Sequence, residues 1–321
     1  MAAPSTAIND PAATTAKPPW LTRNRRRAAV GYSLISPWFI GFVIFILGPV
    51  IASIYYSMTT YNLLSAPTYV GFQQYEIMFT KDPLFWGSVR RTLIWAVSLI
   101  VIGLTGSLVC AMLLNQALKG TTFFRAAFFI PSLTPIVAAA ILWGWILQPT
   151  YGPLNALLGL VGITGPGWLQ STTWAIPGLL IVRLWNFVGG GNMIIFLAGL
   201  QGIPQELYDA AHVDGASAWQ RFRNITLPML SPTIFFNLVI GIIAALKVFA
   251  LAYVAPAGSV GTEGGPAYAT WFYILHLYNS GFVYLQMGYA SALAWVFFIA
   301  VLILTIVQFA GARRWVHYEA G

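Results

Sequence analysis

The sequence predicts an all-α membrane protein, a polytopic bundle of six transmembrane helices. Of its 321 residues 58% are hydrophobic and only 7% are charged, too few to cover a soluble domain of this length. Alternating ten-residue segments, the pattern of a membrane barrel, are absent from the sequence. Six runs approach or exceed the roughly 20 apolar residues that a helix needs to cross a bilayer. These runs are residues 32–57, 92–114, 126–147, 176–200, 232–254 and 288–310.

The segment before the first apolar run is polar and ends in a cluster of arginines. Its Pro, Ala and Thr content predicts disorder over residues 1–29, with a basic end at the cytoplasmic membrane surface. The first run lacks a small-residue cleavage site after a short apolar core, so we interpret it as an anchor. The membrane domain is then expected over residues 30–315, followed by a cytoplasmic tail at 316–321.

The basic residues are distributed unequally between the two sides of the predicted bundle. With the N-terminus inside, only Lys81, Arg90 and Arg91 lie outside, which satisfies the positive-inside rule. Both termini are therefore expected in the cytoplasm, and the net charge of +8 does not indicate a nucleic-acid partner. The 11 cytoplasmic basic residues are Lys17, Arg23, Arg25, Arg26, Arg27, Lys119, Arg125, Arg221, Arg223, Arg313 and Arg314.

Residues 201–231 form the longer of the two inner connections, and they include the stretch YDAAHVDGASAWQRFRNITLP. Pro204 fits the first turn of a helix that should run to Val213. A turn should follow at Gly215, since glycine adopts positive φ without steric penalty.

A second short helix is expected after this turn. Ser217 is a favourable N-cap, and Pro228 should end the helix. Periodicity alone also fits an ordinary amphipathic hairpin whose basic residues contact lipid headgroups.

The spacing of the fixed residues in this connection is more specific than its periodicity. Asp-Ala-Ala, two residues, Asp-Gly-Ala, five residues, Phe, two residues, Ile, one residue and Leu-Pro closely resembles the EAA motif of binding-protein-dependent ABC importer permeases. Asp209 stands where the motif usually has Glu. The resemblance implies a coupling helix that docks into a cytoplasmic ATPase and contains Asp209, Ala210, Ala211, Asp214, Gly215 and Ala216.

Shorter matches extend the resemblance along almost the whole chain, to the first-permease type of the maltose and glycerol-phosphate importers. They include Gly48-Pro49-Val50, Phe129-Ile130-Pro131, Gly264-Gly265-Pro266 and Gly288-Tyr289-Ala290. The resemblance implies the type I permease fold in a bacterial inner membrane. It also implies a second permease subunit, two copies of a cytoplasmic ATPase, an external sugar-binding protein and a carbohydrate substrate. Without G-x-x-x-x-G-K-[ST], this chain has no site for ATP and Mg²⁺, which the resemblance places on the ATPase.

Polar residues inside the fourth, fifth and sixth runs suggest a substrate path. A charged side chain near the bilayer centre costs roughly 2.5–3.5 kcal/mol on insertion scales, and consecutive glycines weaken a helix. Asn237 and Lys247 are expected on one broad face of the fifth helix. Hydrogen bonding between helices, without any ligand, is the alternative for each polar residue. The candidates are Arg183, Trp185, Asn186, Asn192, Asn237, Lys247 and Tyr289.

A membrane enzyme or flippase-like protein acting on lipid-linked sugars is the alternative function. It would need paired acid and base carboxylates at the outer surface. Glu76, Asp82 and Glu263 are the acidic residues there, and the sequence gives no sign that they pair. We therefore expect a transporter subunit with no catalytic residue, cofactor or metal of its own.

Overall fold

The computed structural model describes residues 20–116, 119–260 and 263–317. Helices dominate these residues, which confirms the all-α prediction. Their one sheet pairs β1 (Thr59–Thr60) with β2 (Thr68–Tyr69) in antiparallel register. The chain divides into two compact units, residues 1–55 and 56–321.

The first unit is helical from Trp20, the first described residue. Helix α1 spans Trp20–Phe42, a π-helical turn spans Val43–Leu47, and α2 spans Gly48–Ser57, which continues past the unit's limit. The prediction of disorder is therefore wrong for residues 20–29, because this stretch is rich in the good helix formers Arg, Leu and Ala. Residues 1–19 lie outside the described part of the chain.

The second unit contains the remaining helices, most of which are short. They are α3 (Gln73–Glu76), α4 (Phe85–Leu114), α5 (Thr121–Phe129), α6 (Ile136–Ile146), α7 (Pro153–Leu160), α8 (Ala175–Phe187), α9 (Gly191–Gln201), α10 (Gln205–Val213), α11 (Ala218–Arg221), α12 (Leu227–Met229), α13 (Ser231–Leu246), α14 (Ala250–Val260), α15 (Tyr273–Tyr278) and α16 (Met287–Ala312). Turns of π-helix follow α3, α11 and α15 at Ile77–Lys81, Phe222–Thr226 and Asn279–Val283. Short 3₁₀ turns span Ile130–Leu133 and Pro266–Tyr268.

Three helices in the described ranges are long and apolar enough to cross a membrane. They are Arg27–Ser57, α4 and α16. Three pairs bent at a short break also pass the same test, with angles of 97°, 48° and 65°. If each pair is one span, the total is six, the number that the sequence predicts.

Helix α4 lies at the centre of the second unit and packs against α8, α9 and α13. Trp95 and Leu99 on α4 are almost completely buried together with Phe196 and Phe272. Gly103 allows the close approach of α8, since a Cβ there would lie 2.7 Å from the ring of Phe187. Small residues at helix contacts are typical of membrane bundles, where close packing replaces the hydrophobic effect.

The third predicted span, 126–147, is not one helix. The chain bends by 97° between Leu133 and Ile136, at Thr134 and Pro135. Thr134 is extended, with ψ at 123°, because the ring of a following proline disfavours helical geometry.

The fifth predicted span, 232–254, is also interrupted. Helix α13 ends at Leu246 and α14 begins at Ala250. Lys247 is the C-terminal cap of α13, and its N–H still donates to the Ile243 carbonyl at 3.3 Å, so the face that it was expected to share with Asn237 stays a prediction. A cation at this position lies at the negative end of the α13 dipole, which favours it.

Candidate coupling segment and substrate path

Helix α10 ends in a turn that explains the glycine of the EAA-like motif. Gly215 has φ at +73°, and its N–H donates to the His212 carbonyl at 3.1 Å. The N–H of Ala216 donates to the Ala211 carbonyl at 2.9 Å, which completes a Schellman motif. The predicted helix to Val213 and the predicted turn are both confirmed.

The second helix of the segment begins at a complete capping box. The backbone N–H of Gln220 donates to Ser217 Oγ at 3.3 Å, and Ser217 N–H donates to Gln220 Oε1 at 2.7 Å. The prediction that Pro228 ends this helix is wrong, because the helical stretch continues to Met229. A π-helical turn precedes the proline and widens the backbone, and Thr226 Oγ1 donates to the Arg221 carbonyl at 3.5 Å.

The segment is attached to the bundle on one side and exposed on the other. The hydroxyl groups of Tyr208 and Thr226 are 3.0 Å apart and join α10 to the second helix. Tyr208 and Ile225 pack against the main core. Val213 is 87% exposed, and Trp219 is 66% exposed. Such apolar exposure on a rigid hairpin is typical of a surface that binds another protein.

The six motif residues lie on the exposed side of this segment. Asp209, Ala210, Asp214 and Gly215 are exposed, while Ala211 and Ala216 are half-buried. Gln205 Nε2 donates to Asp209 Oδ1 at 3.2 Å along the same helix.

Arg183 and Lys247, two of the seven predicted path residues, line one cavity of about 190 Å³. Trp95 and Leu99 form its wall on α4, and Phe249 lies in the break between α13 and α14. On α4 the cavity lies about 15 Å from the start of a helix that is about 45 Å long.

The predicted asparagines and Trp185 occupy other positions. Asn186 is buried, and its Nδ2 donates to the Pro131 carbonyl at 2.6 Å. Asn237 is buried and donates to the Thr233 carbonyl of its own helix at 3.1 Å. Trp185 packs edge-on against Trp143, with ring centres 5.8 Å apart. Asn192 is half-buried in the first turn of α9.

The consecutive glycines Gly189, Gly190 and Gly191 lie where α8 ends and α9 begins, and the chain bends there by 48°. The backbone of another segment comes close at this point. A Cβ on Gly189 would lie 2.0 Å from the Phe128 carbonyl oxygen, whereas Gly191 has open space at that position.

Tyr289, the last predicted path residue, belongs to a different polar group. Its hydroxyl donates to Asp82 Oδ2, to which His276 Nε2 also bonds at 2.8 Å. Asp82 Oδ1 accepts the N–H groups of Leu84 at 2.7 Å and of Phe85 at 3.2 Å, and so satisfies two backbone donors at the start of α4. A polar cavity of about 440 Å³ borders Asp82 and Tyr289. Sequence reasoning missed this cluster of Asp82, His276 and Tyr289, which we name the outer cluster because the sequence predicts Asp82 and His276 in external connections.

Hydrogen bonds fix the protonation of the outer cluster. Trp271 Nε1–H donates to His276 Nδ1 at 3.1 Å, so that nitrogen carries no proton and Nε2–H donates to Asp82. Burial lowers the pKa of His276 and outweighs the neighbouring carboxylate. Burial alone would raise the pKa of Asp82, but the hydrogen bonds from Tyr289, Leu84 and His276 lower it. The pair is a neutral imidazole beside an ionised carboxylate.

A bundle of apolar spans with breaks beside a charged cavity, and with a rigid exposed hairpin on one connection, defines the membrane-spanning subunit of a transporter. The chain belongs to the family described as the binding-protein-dependent transport system inner membrane component, whose model matches residues 103–316. It is therefore a multi-pass inner-membrane permease subunit and not an enzyme.

Known relatives agree over most of the chain. The probable ABC transporter permease protein YesP of Bacillus subtilis is 42% identical over 92% of this chain and 94% of its own length. The trehalose/maltose permease MalF of Thermococcus litoralis is 32% identical, over 90% and 95%. A crystal structure of a bacterial ABC transporter that imports the acidic polysaccharide alginate matches with a TM-score of 0.79 at 25% identity, over 92% and 99%.

Proposed function

We propose that this chain is a permease subunit of an ATP-driven carbohydrate importer. Relatives named for sugar transport support a carbohydrate substrate. The working complex would contain a second permease subunit, two copies of a cytoplasmic ATPase that hold ATP and Mg²⁺, and an external sugar-binding protein. The excess of basic residues on the inner connections supports cytoplasmic termini.

The exposed hairpin carries this proposal. Residues Asp209 to Ala216 would dock on the ATPase, and closure of the ATPase pair would then move the segment as a rigid body. The Schellman turn, the capping box and the contact between Tyr208 and Thr226 support rigidity, since they fix both helices and their junction.

The substrate path is proposed to follow the breaks in the fourth and fifth spans. Arg183 and Lys247 would contact the substrate in the shared cavity. Trp185, Asn186, Asn192 and Asn237 would shape the path through the contacts already described. Tyr289 would act near its outer end, beside the larger polar cavity.

Gly215→Val tests the coupling role. A β-branched residue at φ +73° costs roughly 1–2 kcal/mol, so the turn should rearrange and displace the docking surface. No atom lies within 4 Å of a Cβ at this position, so packing cannot explain the effect. In proteoliposomes containing the full complex, we expect sugar uptake to fall at least tenfold while ATP hydrolysis continues.

Gly215→Asn is the matched control, because asparagine tolerates positive φ. It should retain uptake. Co-purification of the ATPase with each variant separates uncoupling from loss of assembly. Normal uptake by Gly215→Val would refute the assignment of this segment as the coupling helix.

A further inference from the structure

The cavity between α4, α8 and the break after α13 contains two cations and no acidic residue. Arg183 lies on α8, and Lys247 lies where α13 ends. Within the described residues, Glu76 pairs with Lys81 and Asp82 with the neutral His276, and no acidic residue pairs with either cavity cation.

Arg183 is held in place without being neutralised. Its guanidinium carbon lies 5.8 Å from the centre of the Phe187 ring, a cation–π contact that orients the group and leaves its charge in place. In the described part of the chain, no carboxylate or carbonyl accepts a hydrogen bond from it.

A third positive feature faces the same cavity. Helix α14 begins at Ala250, and Ala250 and Leu251 line the cavity wall. The first N–H groups of a helix have no partner in the helix and carry a partial positive charge. The break in the fifth span therefore places the positive end of α14 next to the negative end of α13, where Lys247 lies.

The positive charges that line the cavity favour an acidic substrate. Two cations that line one cavity of a membrane-spanning bundle repel each other, and a charged side chain there is unfavourable without a counter-charge. A neutral sugar supplies no such charge, whereas a carboxylate or phosphate group compensates both cations. The side chains of Trp95 and Phe249 supply apolar faces for a sugar ring beside the charged group.

The size of the cavity indicates a shared site. About 190 Å³ is below the range of about 300–1,000 Å³ that is usual for small-molecule pockets, so a second subunit would have to complete the enclosure.

We propose that the imported carbohydrate is anionic and that Arg183 and Lys247 bind its acidic group during passage. This inference rests on the proposed carbohydrate-import function. Some relatives are named for transport of a neutral disaccharide and others for import of an acidic polysaccharide, so their names do not indicate the charge of this substrate. The two cations of the cavity indicate an anionic one.

Uptake by the complete complex in proteoliposomes tests this assignment. The probes are mono- and disaccharides in matched pairs, each a uronate or sugar phosphate with its neutral parent. We expect uptake of acidic members only, and comparison of uronates with phosphates identifies the acidic group. Uptake of only the neutral parents would overturn the anionic assignment and leave carbohydrate import intact. If no carbohydrate enters at the expense of ATP, the proposed function itself fails.

Charge-removing variants assign the effect to these two residues. Arg183→Gln and Lys247→Gln should each lower acidic-substrate uptake at least tenfold, while Arg183→Lys and Lys247→Arg restore most of it. Arg27→Gln removes an exposed arginine outside the cavity and should leave uptake unchanged.

Two results would overturn the role of the cations. One is unchanged acidic-substrate uptake in both Gln variants. The other is loss of the second permease subunit from both Gln variants with its retention in the charge-conserving pair, which would identify the cations as partners of an acid on that subunit. If Arg183→Gln alone fails to assemble, Lys247→Gln decides, because Lys247 is exposed.

Discussion

Replacing Asp82 with alanine should destabilise the protein by about 3 kcal/mol. The substitution removes the acceptor of two backbone N–H groups at the start of α4, which costs about 1 kcal/mol. It also leaves the hydroxyl of Tyr289 and Nε2–H of His276 without their acceptor, in side chains that are only 6% and 4% exposed. Each buried donor without a partner costs about 1–3 kcal/mol. The lower end applies because the adjacent polar cavity can admit water.

A thermal-shift assay on the detergent-purified complex, at one fixed scan rate, measures this loss. For a unit of this size, 3 kcal/mol corresponds to a fall of roughly 6–12 °C in the unfolding midpoint. Asp82→Asn should fall between wild type and Asp82→Ala, since its amide oxygen can still accept the two N–H groups at the start of α4.

Glu76→Ala is the matched control for the acidic side chain. Glu76 lies in the same connection and pairs with Lys81 at 3.3 Å, but both side chains are more than 60% exposed. Such a pair contributes at most about 1 kcal/mol, so the midpoint should fall by no more than about 4 °C. If Asp82→Ala shifts the midpoint no more than Glu76→Ala does, the outer cluster does not stabilise the fold.

Two further predictions concern the outer cluster and the glycine break. Because burial lowers the pKa of His276 below its usual 6.5, its neutral form stabilises the fold above about pH 6.5, and this stability is lost as pH falls through the folded-state pKa. The unfolding midpoint should therefore fall between pH 7 and pH 5; an equal fall in His276→Asn would contradict this origin. Gly189→Ala should abolish assembly or lower the midpoint strongly, because its Cβ would overlap the Phe128 carbonyl, whereas Gly191→Ala has open space. Equal behaviour of the two alanine variants would show that close approach does not explain the glycine.

Turns and caps that depend on neighbouring residues could be predicted from the sequence. The turn at Gly215 and the cap at Ser217 depend on residues at most four positions away, so the residue types alone specify both. The predicted helix end at Pro228 is wrong because the helix around this proline is not an ordinary α-helix. A proline stops an ordinary α-helix, but a π-helical turn accommodates it, and no residue type in the sequence marks that turn.

Contacts between segments that are distant in the chain could not be predicted from the sequence. Asp82 is 194 residues from His276 and 207 from Tyr289, and neither distance leaves a periodic or motif signal. The break at Lys247 has no proline or glycine to mark it. The bend at Pro135 does have a proline to mark it. The run 126–147 is nevertheless long and apolar enough for one span, so the sequence predicts a single helix there.

Residues next to the breaks of the third and fourth spans contact each other. Asn186 satisfies the carbonyl of Pro131, and Gly189 lies against the carbonyl of Phe128. Residues of the fourth span thus contact backbone carbonyls next to the break of the third. We therefore expect these two spans to move together.

The wall of the cavity next to this pair of spans carries Arg183 and Ile136, while Lys247 lies on the separate break of the fifth span. Because the two cations belong to different parts of the bundle, a relative movement of those parts would change the separation of the charges. An anionic group between them would then favour the arrangement in which both cations reach it, so the bound substrate would bias the conformational equilibrium by its differential affinity for the two states. A neutral sugar, which leaves the repulsion uncompensated, would exert no such bias.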